Sequence, residues 1–308
     1  MPLTGVTRGQ PKAPKIVLYG PAKVGKTTWA AGFPKPIIVG TEDGAGGIAV
    51  DRFPVATKWE EIIANLTEVA TEPHDYQTVV LDTLGGAAEL CAQFICNLMF
   101  GGDFGPKGFA AYGQGMGATS EEMRRLLPIL NACCDRGMSV VLLAHTGVQS
   151  VKNPVEGDYQ KYVPEMDRKV WSRFARWADM IGRADYDFIV LKKDGGQPGP
   201  GRVKGNSTRV VHWSGSAAED AGTRAGFEMP DSTLLSYDSF AEAFGRGTPT
   251  LDEVTRLWPL LDAETATKTM TWLGTPTLAD APVVKLKQLL NRLRAIEAER
   301  TTEEASNA

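Results

Sequence analysis

Short apolar runs alternate with longer amphipathic segments along the first two thirds of this chain. Several of the runs are apolar on both faces, which is typical of strands buried in a parallel sheet. Strands that alternate with helices indicate an α/β fold, here a mostly parallel sheet flanked by helices. We predict six strands, over Lys15–Tyr19, Pro36–Gly40, Thr78–Leu81, Ser139–Ala144, Asp187–Lys192 and Arg209–Trp213.

The longer segments space apolar residues three and four positions apart, which buries one face of a helix. The predicted helices of the α/β part are Trp59–Ala70, Leu84–Phe100, Ser120–Arg136 and Asp167–Ile181. Further helices, separated by Thr-Pro turns, are predicted over Thr250–Leu261, Ala263–Leu273 and Ala281–Arg300. We therefore predict an N-terminal tail (1–14), an α/β core (15–248) and a small helical C-terminal extension (249–308) with a disordered polar tail.

Two long segments interrupt the alternation where a compact α/β domain uses short connections. Phe100–Thr119 is rich in glycine, and Gly147–Pro164 is largely polar. Loops of this length are usually functional or disordered. A third segment, Gly195–Gly205, is predicted to be the flexible tip of a hairpin between the last two strands.

The composition is that of an ordinary folded protein. Of the 308 residues, 43% are hydrophobic and 23% are charged. No apolar run approaches the roughly 20 residues of a membrane span, and the N-terminus lacks the apolar core of a signal peptide. We expect an intracellular protein with no membrane contact. Its four cysteines have neither zinc-site nor redox spacing, so we expect them to be reduced and buried.

The net charge of −4 argues against a protein coated in basic surface. Residues 150–210 differ from the rest, because 12 Lys and Arg against 8 Asp and Glu give this segment a charge of +4. We expect a polyanion other than a nucleotide to meet the chain there. A solvated charged face explains the same numbers.

A phosphate-binding loop stands between the first predicted strand and a helix that starts near Lys26. It reads GPAKVGKTT and comprises Gly20, Pro21, Ala22, Lys23, Val24, Gly25, Lys26, Thr27 and Thr28. Its glycines let backbone N–H groups point inward at a polyphosphate. The lysine, Lys26, supplies a charge to the β- and γ-phosphates, and the Thr27 hydroxyl is a ligand for Mg²⁺. We therefore predict ATP and Mg²⁺ as ligands.

Three polar residues follow later strands and are expected at the same edge of the sheet. Asp82 ends the third strand, where its carboxylate can hold the Mg²⁺ shell. Glu42, with Asp43 as its competitor, is a candidate to activate water for attack on the γ-phosphate. His145 ends the fourth strand and is a candidate sensor of that phosphate, although a structural histidine explains it nearly as well.

The ordered set of these motifs resembles the RecA-type recombinase core. The segments KIVLYGPAKVGKTTWA, IIVGTEDG, VVLDT, AYGQG and LLAHT are more closely similar to the phage RecA-like ATP-binding proteins of the Sak single-strand annealing group. The resemblance covers roughly residues 14–245. It implies ATP-dependent annealing or pairing of single-stranded DNA in phage recombination, with help from a single-stranded-DNA-binding protein. It also implies an oligomer with ATP between subunits, in the cytoplasm of an infected host cell.

The resemblance carries roles over to particular positions. It implies that Lys26 and Thr27 contact phosphate and Mg²⁺, that Glu42 activates water, that Asp82 serves the metal shell and that His145 is the switch residue. The two long segments fall where RecA-like proteins place DNA-contacting loops. Their aromatic and cationic residues suit single-strand binding. The candidates are Lys107, Phe109, Tyr112, Lys152, Lys161 and Tyr162.

The same resemblance implies that a neighbouring subunit supplies a cation to the γ-phosphate. Arg224 is the first candidate for this cation, with Arg209 and Lys204 after it. The chain departs from the family in its acidic net charge, in Glu156 and Asp158 within the second segment, and in having no recognisable basic N-terminal DNA-binding domain. These departures argue against tight, autonomous DNA binding.

Two other functions also use a phosphate loop. A small-molecule or nucleotide kinase needs an Arg-rich lid, and the sequence has no recognisable one. An ATP-gated interaction module, such as a helicase-loading or packaging partner, would bind ATP without releasing phosphate under any DNA condition.

Overall fold

The computed structural model of the chain describes residues 13–191, 202–227, 229–247, 251–274, 277–278, 289–290, 292–293 and 296–297. The backbone divides into two compact units. The first contains the residues up to Thr223 together with Asp231–Ser239, and the second contains Arg224–Pro230 and the residues from Phe240 onward. The predicted boundary after residue 248 stays a prediction, because residues 248–250 lie outside the described part of the chain.

A ten-stranded sheet organises the first unit, with the strand order β10-β8-β7-β1-β5-β4-β2-β3. In addition, β6 pairs with β5 and β9 pairs with β7. The strands are β1 (Lys15–Gly20), β2 (Pro36–Gly40), β3 (Asp51–Arg52), β4 (Thr78–Asp82), β5 (Ser139–Val151), β6 (Tyr159–Pro164), β7 (Met180–Leu191), β8 (Arg202–His212), β9 (Gly222–Thr223) and β10 (Ser232–Leu234).

The pairing of the central strands is parallel from β7 through β1, β5, β4 and β2 to β3. Antiparallel pairs occur at β8, which lies between β7 and β10, and at β6 and β9. Helices accompany this sheet, so the predicted α/β fold with a mostly parallel sheet is confirmed. The described helices are α1 (Lys26–Ala31), α2 (Trp59–Thr71), α3 (Leu84–Phe100), α4 (Gln114–Met123), α5 (Leu126–Asp135), α6 (Arg168–Trp177), α7 (Tyr237–Gly247), α8 (Leu251–Leu257) and α9 (Ala263–Leu273).

The main core lies between the parallel strands and the helices α2, α3, α5 and α6. Sheet residues such as Val17 and Leu81 meet helix residues such as Ile62, Leu130 and Phe174, all of which are fully or almost fully buried. Burying a side chain of this size stabilises a fold by about 1.5–3 kcal/mol. The core therefore fixes the carboxyl edge of the strands on which the candidate residues stand.

The largest difference from the predicted elements concerns Gly147–Pro164, which is a β-hairpin rather than a loop. β5 continues through His145 to Val151 and then pairs in antiparallel fashion with β6. His145 is the last residue of β5 in register with β1, and Thr146 is the first in register with β6. One strand therefore connects the main sheet to the hairpin.

Two helix boundaries also differ from prediction. The glycine-rich segment forms α4 from Gln114, so Ser120 lies within that helix, and α5 starts separately at Leu126. The predicted helix ending at Ile181 stops at Trp177, because the chain turns extended at Ala178 and joins β1 as the parallel strand β7.

The second unit has a small apolar core of its own. Its buried members are Val254, Leu257, Leu273, Leu289, Leu290 and Leu293. The predicted helix over Ala263–Leu273 is confirmed as α9. The one predicted over Ala281–Arg300 falls mostly outside the described residues, as do the polar tail from residue 301 and residues 1–12.

The four cysteines are all buried and free, as predicted. Burial raises the pKa of the Cys91 thiol to about 12 and that of the Cys133 thiol to about 11. In the part of the chain that the structure describes, no helix combines the length and apolar character needed to cross a membrane.

Candidate functional site

The phosphate loop connects β1 to α1 at the carboxyl edge of the parallel strands. Its two glycines serve different needs. Gly25 has a φ of 111°, a backbone conformation that glycine adopts without steric cost. A Cβ on Gly20 would stand 2.6 Å from the carbonyl oxygen of Ala184, so this glycine permits the close approach of β1 and β7. Glycine is therefore needed at residue 25 for its backbone conformation and at residue 20 for the close packing of two strands.

Lys26 is buried within this loop, with 6% of its surface exposed. Its Nζ donates hydrogen bonds to the carbonyl oxygens of Gly20 (2.8 Å) and Pro21 (2.9 Å). Burial lowers the pKa of Lys26, while the nearby carboxylates of Asp82 and Glu42 raise it. In the described part of the chain, the acceptors of this ammonium are neutral carbonyl oxygens. Phosphate oxygens can replace them as acceptors.

Thr27 and Asp82 meet across the cleft, as the sequence predicts. The Thr27 hydroxyl donates a 2.7 Å hydrogen bond to Oδ2 of Asp82, a carboxylate that is 3% exposed. Burial raises the pKa of Asp82, and the Glu42 charge adds to this, whereas the Thr27 hydrogen bond, Lys26 and His145 lower it. A Cβ added to Gly44 would lie 3.5 Å from both oxygens, so the glycine keeps that side open. These hard oxygen donors fit Mg²⁺.

Thr41 supports the strand end that carries Asp82, although the sequence did not predict a role for it. Its N–H donates to the carbonyl oxygen of Asp82 (2.7 Å), and its hydroxyl accepts a 2.9 Å hydrogen bond from the N–H of Thr83. Thr83 in turn caps α3 by accepting from the N–H of Gly86 (3.1 Å). Only their positions in the sequence could have pointed to Thr41 and Gly44, because they stand on either side of the Glu42-Asp43 pair.

Glu42, which follows β2, and His145, which lies within β5, approach each other. His145 Nε2 lies 3.3 Å from Glu42 Oε1, and both side chains are partly exposed to the cleft. Asp43, the competitor for the same role, is 72% exposed and its Oδ1 lies 3.4 Å from Nη1 of Arg52. The hydrogen-bonded contact with His145 therefore distinguishes Glu42 from Asp43.

These residues surround one cleft of about 520 Å³. The lining residues are Ala22, Lys23, Gly25, Lys26, Thr27, Thr28, Glu42, Asp43, Gly44, Asp82, His145 and Arg209. The sequence predicted most of this set, but it ranked Arg209 only as a reserve for Arg224. Arg224 belongs to the second unit, so its predicted contact with the γ-phosphate of a neighbouring subunit stays a prediction.

The first predicted DNA segment is only partly accessible. Lys107 and Tyr112 are exposed, Tyr112 fully so. Phe109, in contrast, is 6% exposed, and its ring centroid lies 5.0 Å from that of Phe104 and 5.7 Å from that of Phe100. Because a buried ring offers no face to a base, the stacking role predicted for Phe109 is contradicted in this conformation.

The second predicted DNA segment forms the hairpin of β5 and β6, and its cations have carboxylate partners. Lys152 Nζ donates to Asp158 Oδ2 (2.8 Å), and Lys161 is ion-paired with Asp220. The ring of Tyr162 lies 5.0 Å from the guanidinium of Arg183. Exposure of Tyr162 and Lys152 agrees with a contact surface, while the ion pairs reduce its positive charge.

Two known proteins illustrate what the chain is similar to. The SPbeta prophage-derived uncharacterized protein YorG of Bacillus subtilis (strain 168) is 24% identical over 158 residues, which are 49% of this chain and 47% of that protein. The chain therefore spans about half the length of this curated relative. The crystal structure of the flagellar accessory protein FlaH from Methanocaldococcus jannaschii matches 73% of this chain and 86% of that one, with 11% identity and a TM-score of 0.34.

The family model for the AAA domain matches residues 12–225. This range includes the phosphate loop and every residue that lines the cleft. It covers more than half of the chain, and it contains the sheet from β1 through β9. The chain therefore belongs to the AAA domain family of P-loop nucleoside triphosphatases.

Proposed function

We propose that this chain binds ATP with Mg²⁺ and hydrolyses it in the cleft at the end of β1. One observation carries the proposal: the cation of Lys26, the Thr27–Asp82 oxygen pair and the Glu42–His145 pair all line the same cleft. Each of the three groups meets a separate requirement of phosphoryl transfer. In the same order, they neutralise phosphate charge, hold the metal ion and activate the attacking water.

In this mechanism Lys26 binds the β- and γ-phosphates and offsets the charge that develops on them. Thr27 and Asp82 would hold the Mg²⁺, which would neutralise part of the phosphate charge when bound. Glu42 accepts the proton of the attacking water at its carboxylate. His145 orients that carboxylate through the 3.3 Å contact between Nε2 and Oε1.

We further propose that ATP turnover serves single-stranded DNA, in strand annealing or pairing during phage recombination. Support comes from the resemblance to the RecA-like Sak group, from the prophage origin in the name of the relative, and from the exposure of Lys107 and Tyr112. An oligomer with ATP between subunits and a single-stranded-DNA-binding protein as helper belong to the same proposal.

The decisive experiment measures phosphate release by the full chain with and without a single-stranded oligonucleotide. We expect DNA to raise the turnover rate and Lys26→Ala to abolish turnover in both conditions, because the variant leaves the phosphates without their buried cation. Gel filtration of the same samples reports the oligomeric state. Turnover that no single-stranded DNA changes, with or without a single-stranded-DNA-binding protein, would contradict the DNA part of the proposal.

The hairpin favours a second candidate function, an ATP-gated module that binds a protein. Its cations are paired with carboxylates, and Val148 and Val155 are exposed on it. An apolar surface with neutralised charge suits a protein partner better than a phosphate backbone. ATP binding without phosphate release under any DNA condition would favour this candidate over the ATPase.

A further inference from the structure

Arg209 stands beside the phosphate loop although it is far from it in sequence. It lies in β8, opposite Tyr186 of β7, and its side chain lines the same cleft as Lys26. A Cβ built on Gly25 would lie 3.1 Å from Nη1 of Arg209. Because residue 25 is a glycine, no side chain separates the guanidinium from the backbone that receives phosphate. The cleft therefore contains a second cation from the same chain.

The charge of Arg209 lacks a carboxylate partner among the described residues. No ion pair or side-chain hydrogen bond joins it to another described residue, and the side chain is exposed. Arg183, on the neighbouring strand β7, shows the contrast, since it is ion-paired with both Asp185 and Glu219. A guanidinium with free donors next to a phosphate loop is suited to bidentate recognition of phosphate.

The sheet order places Arg209 on the opposite flank of the cleft from Asp82, Glu42 and His145. β8 and β7 lie on one side of β1, whereas β5, β4 and β2 lie on the other. His145, Asp82 and Glu42 all stand on or directly after strands of the second group. The γ-phosphate belongs with these three residues, so the phosphates nearer the nucleoside extend toward β8.

We propose that Arg209 binds the α- and β-phosphates of the nucleotide held by its own chain. This inference rests on the proposed nucleotide binding and adds the residue that sets affinity on the nucleoside side. This role differs from the one expected from the sequence. There, Arg209 was an alternative to Arg224 as the cation that one subunit supplies to the γ-phosphate bound by its neighbour. ATP and ADP share the α- and β-phosphates, so Arg209 strengthens the binding of both.

The test is isothermal titration calorimetry of the full chain with Mg·ATP and Mg·ADP. A charge-assisted hydrogen bond contributes about 1.5–3 kcal/mol, so Arg209→Ala should raise the Kd of both nucleotides about tenfold or more. Arg209→Lys should recover part of the lost affinity, because lysine keeps the positive charge but lacks the paired N–H donors of a guanidinium. At saturating ATP, kcat should stay within about threefold of the wild type.

Arg124→Ala is the matched control, because Arg124 is an exposed arginine whose Nε pairs with Glu121 outside the cleft. We expect it to leave both Kd values unchanged. Circular dichroism spectra should coincide for the wild type and all three variants, since Arg209 is exposed and its strand pairs through the backbone.

Two results for Arg209→Ala would overturn the inference: unchanged Kd values for both nucleotides, or weaker binding of ATP alone. Weaker binding of ATP alone, or a large loss of kcat at unchanged Kd values, would indicate contact with the γ-phosphate instead. A failure of the proposed function has a separate signature, because a wild-type chain that binds neither nucleotide contradicts nucleotide binding itself. A wild-type chain that binds both without hydrolysis contradicts only the ATPase activity.

Discussion

The nucleotide cleft and the β5–β6 hairpin both carry charged side chains, but they use charge in opposite ways. In the cleft, the hydrogen bonds of Lys26 to the described residues go to carbonyl oxygens, and Arg209 has no ion-pair partner among the same residues. In the hairpin, Lys152 and Lys161 are each neutralised by a carboxylate. Charge composition alone therefore does not identify a ligand site, and we expect a ligand where charged side chains around a cavity lack a carboxylate partner of their own.

Removing the carboxylate of Glu42 tests the comparison on the cleft side and has the largest expected effect. Glu42→Gln keeps the shape of the side chain but removes the general base, so we expect kcat to fall about a hundredfold or more. Nucleotide affinity should stay within about twofold, because the phosphate-binding residues remain. Steady-state phosphate release and calorimetry measure the two quantities.

Asp43→Asn is the control for this variant, because Asp43 is exposed and paired with Arg52 rather than His145. We expect turnover close to that of the wild type. A larger loss in Asp43→Asn than in Glu42→Gln would assign the water-activating role to Asp43 and would break the assignment made from the His145 contact.

We expect the buried Asp82 to make Mg²⁺ binding in the cleft depend on pH. Burial raises its pKa above the ordinary 3.8, and Mg²⁺ requires the ionised form. Affinity for Mg·ATP should therefore weaken as pH falls through this raised pKa, by up to about tenfold per pH unit. Calorimetry of Mg²⁺-dependent ATP binding across the acidic range measures the slope.

Linkage gives the opposite sign for the stability of the ligand-free protein. A raised pKa in the folded state means that folding becomes more favourable as pH falls from that pKa toward 3.8. Asp82→Asn retains an acceptor for the Thr27 hydroxyl and should lose both pH dependences. Persistence of the same slopes in this variant would show that another group titrates. ATP itself also takes up protons, but this affects the wild type and Asp82→Asn equally. It therefore does not contribute to the difference between their pH slopes.

The smallest expected effect concerns the hairpin, where charge is already paired. Asp158→Asn releases Lys152 from its 2.8 Å ion pair, which at an exposed site stabilises by less than about 1 kcal/mol. If the hairpin binds single-stranded DNA, affinity should rise about two- to fivefold and the salt slope should steepen by about one. Fluorescence anisotropy of a labelled oligonucleotide at several salt concentrations measures both.

Lys152→Ala is the counterpart and should weaken binding and flatten the salt slope. Equal DNA affinity in Asp158→Asn and Lys152→Ala would show that the hairpin is not part of the DNA-binding surface. It would favour the hairpin as a protein-binding element. Either result sharpens the contrast between a site of unpaired charge and a surface of paired charge.

The phosphate loop could be predicted from sequence because its requirements are local. Consecutive residues from Gly20 to Thr28 supply the turn, the cation and the hydroxyl, and parallel strands bring Asp82 to the same edge. Arg209 could not be placed in the same way. Its position depends on the antiparallel pairing of β8 with β7, which no local pattern specifies.

The missed elements share a tertiary cause. Glycines at 115 and 117 argue against a helix, yet these residues lie in α4. Gly115 packs closely against Phe109, because a Cβ at this position would stand 2.3 Å from the Phe109 ring. β5 was predicted to stop at Ala144, since the polar residues after it end the apolar run. Its continuation is set by β6, where each of the residues from Thr146 to Val151 has a partner.

β5 also fixes how far apart the two regions are. At about 3.3 Å per residue, the six residues that follow His145, up to Val151, place that end of β5 roughly 20 Å from His145 at the cleft edge. Electrostatic screening at physiological ionic strength has a decay length of about 8 Å. The charge of a ligand bound at the hairpin end would therefore be largely screened from a γ-phosphate in the cleft, and movement of β5 would offer a direct mechanical link between the two.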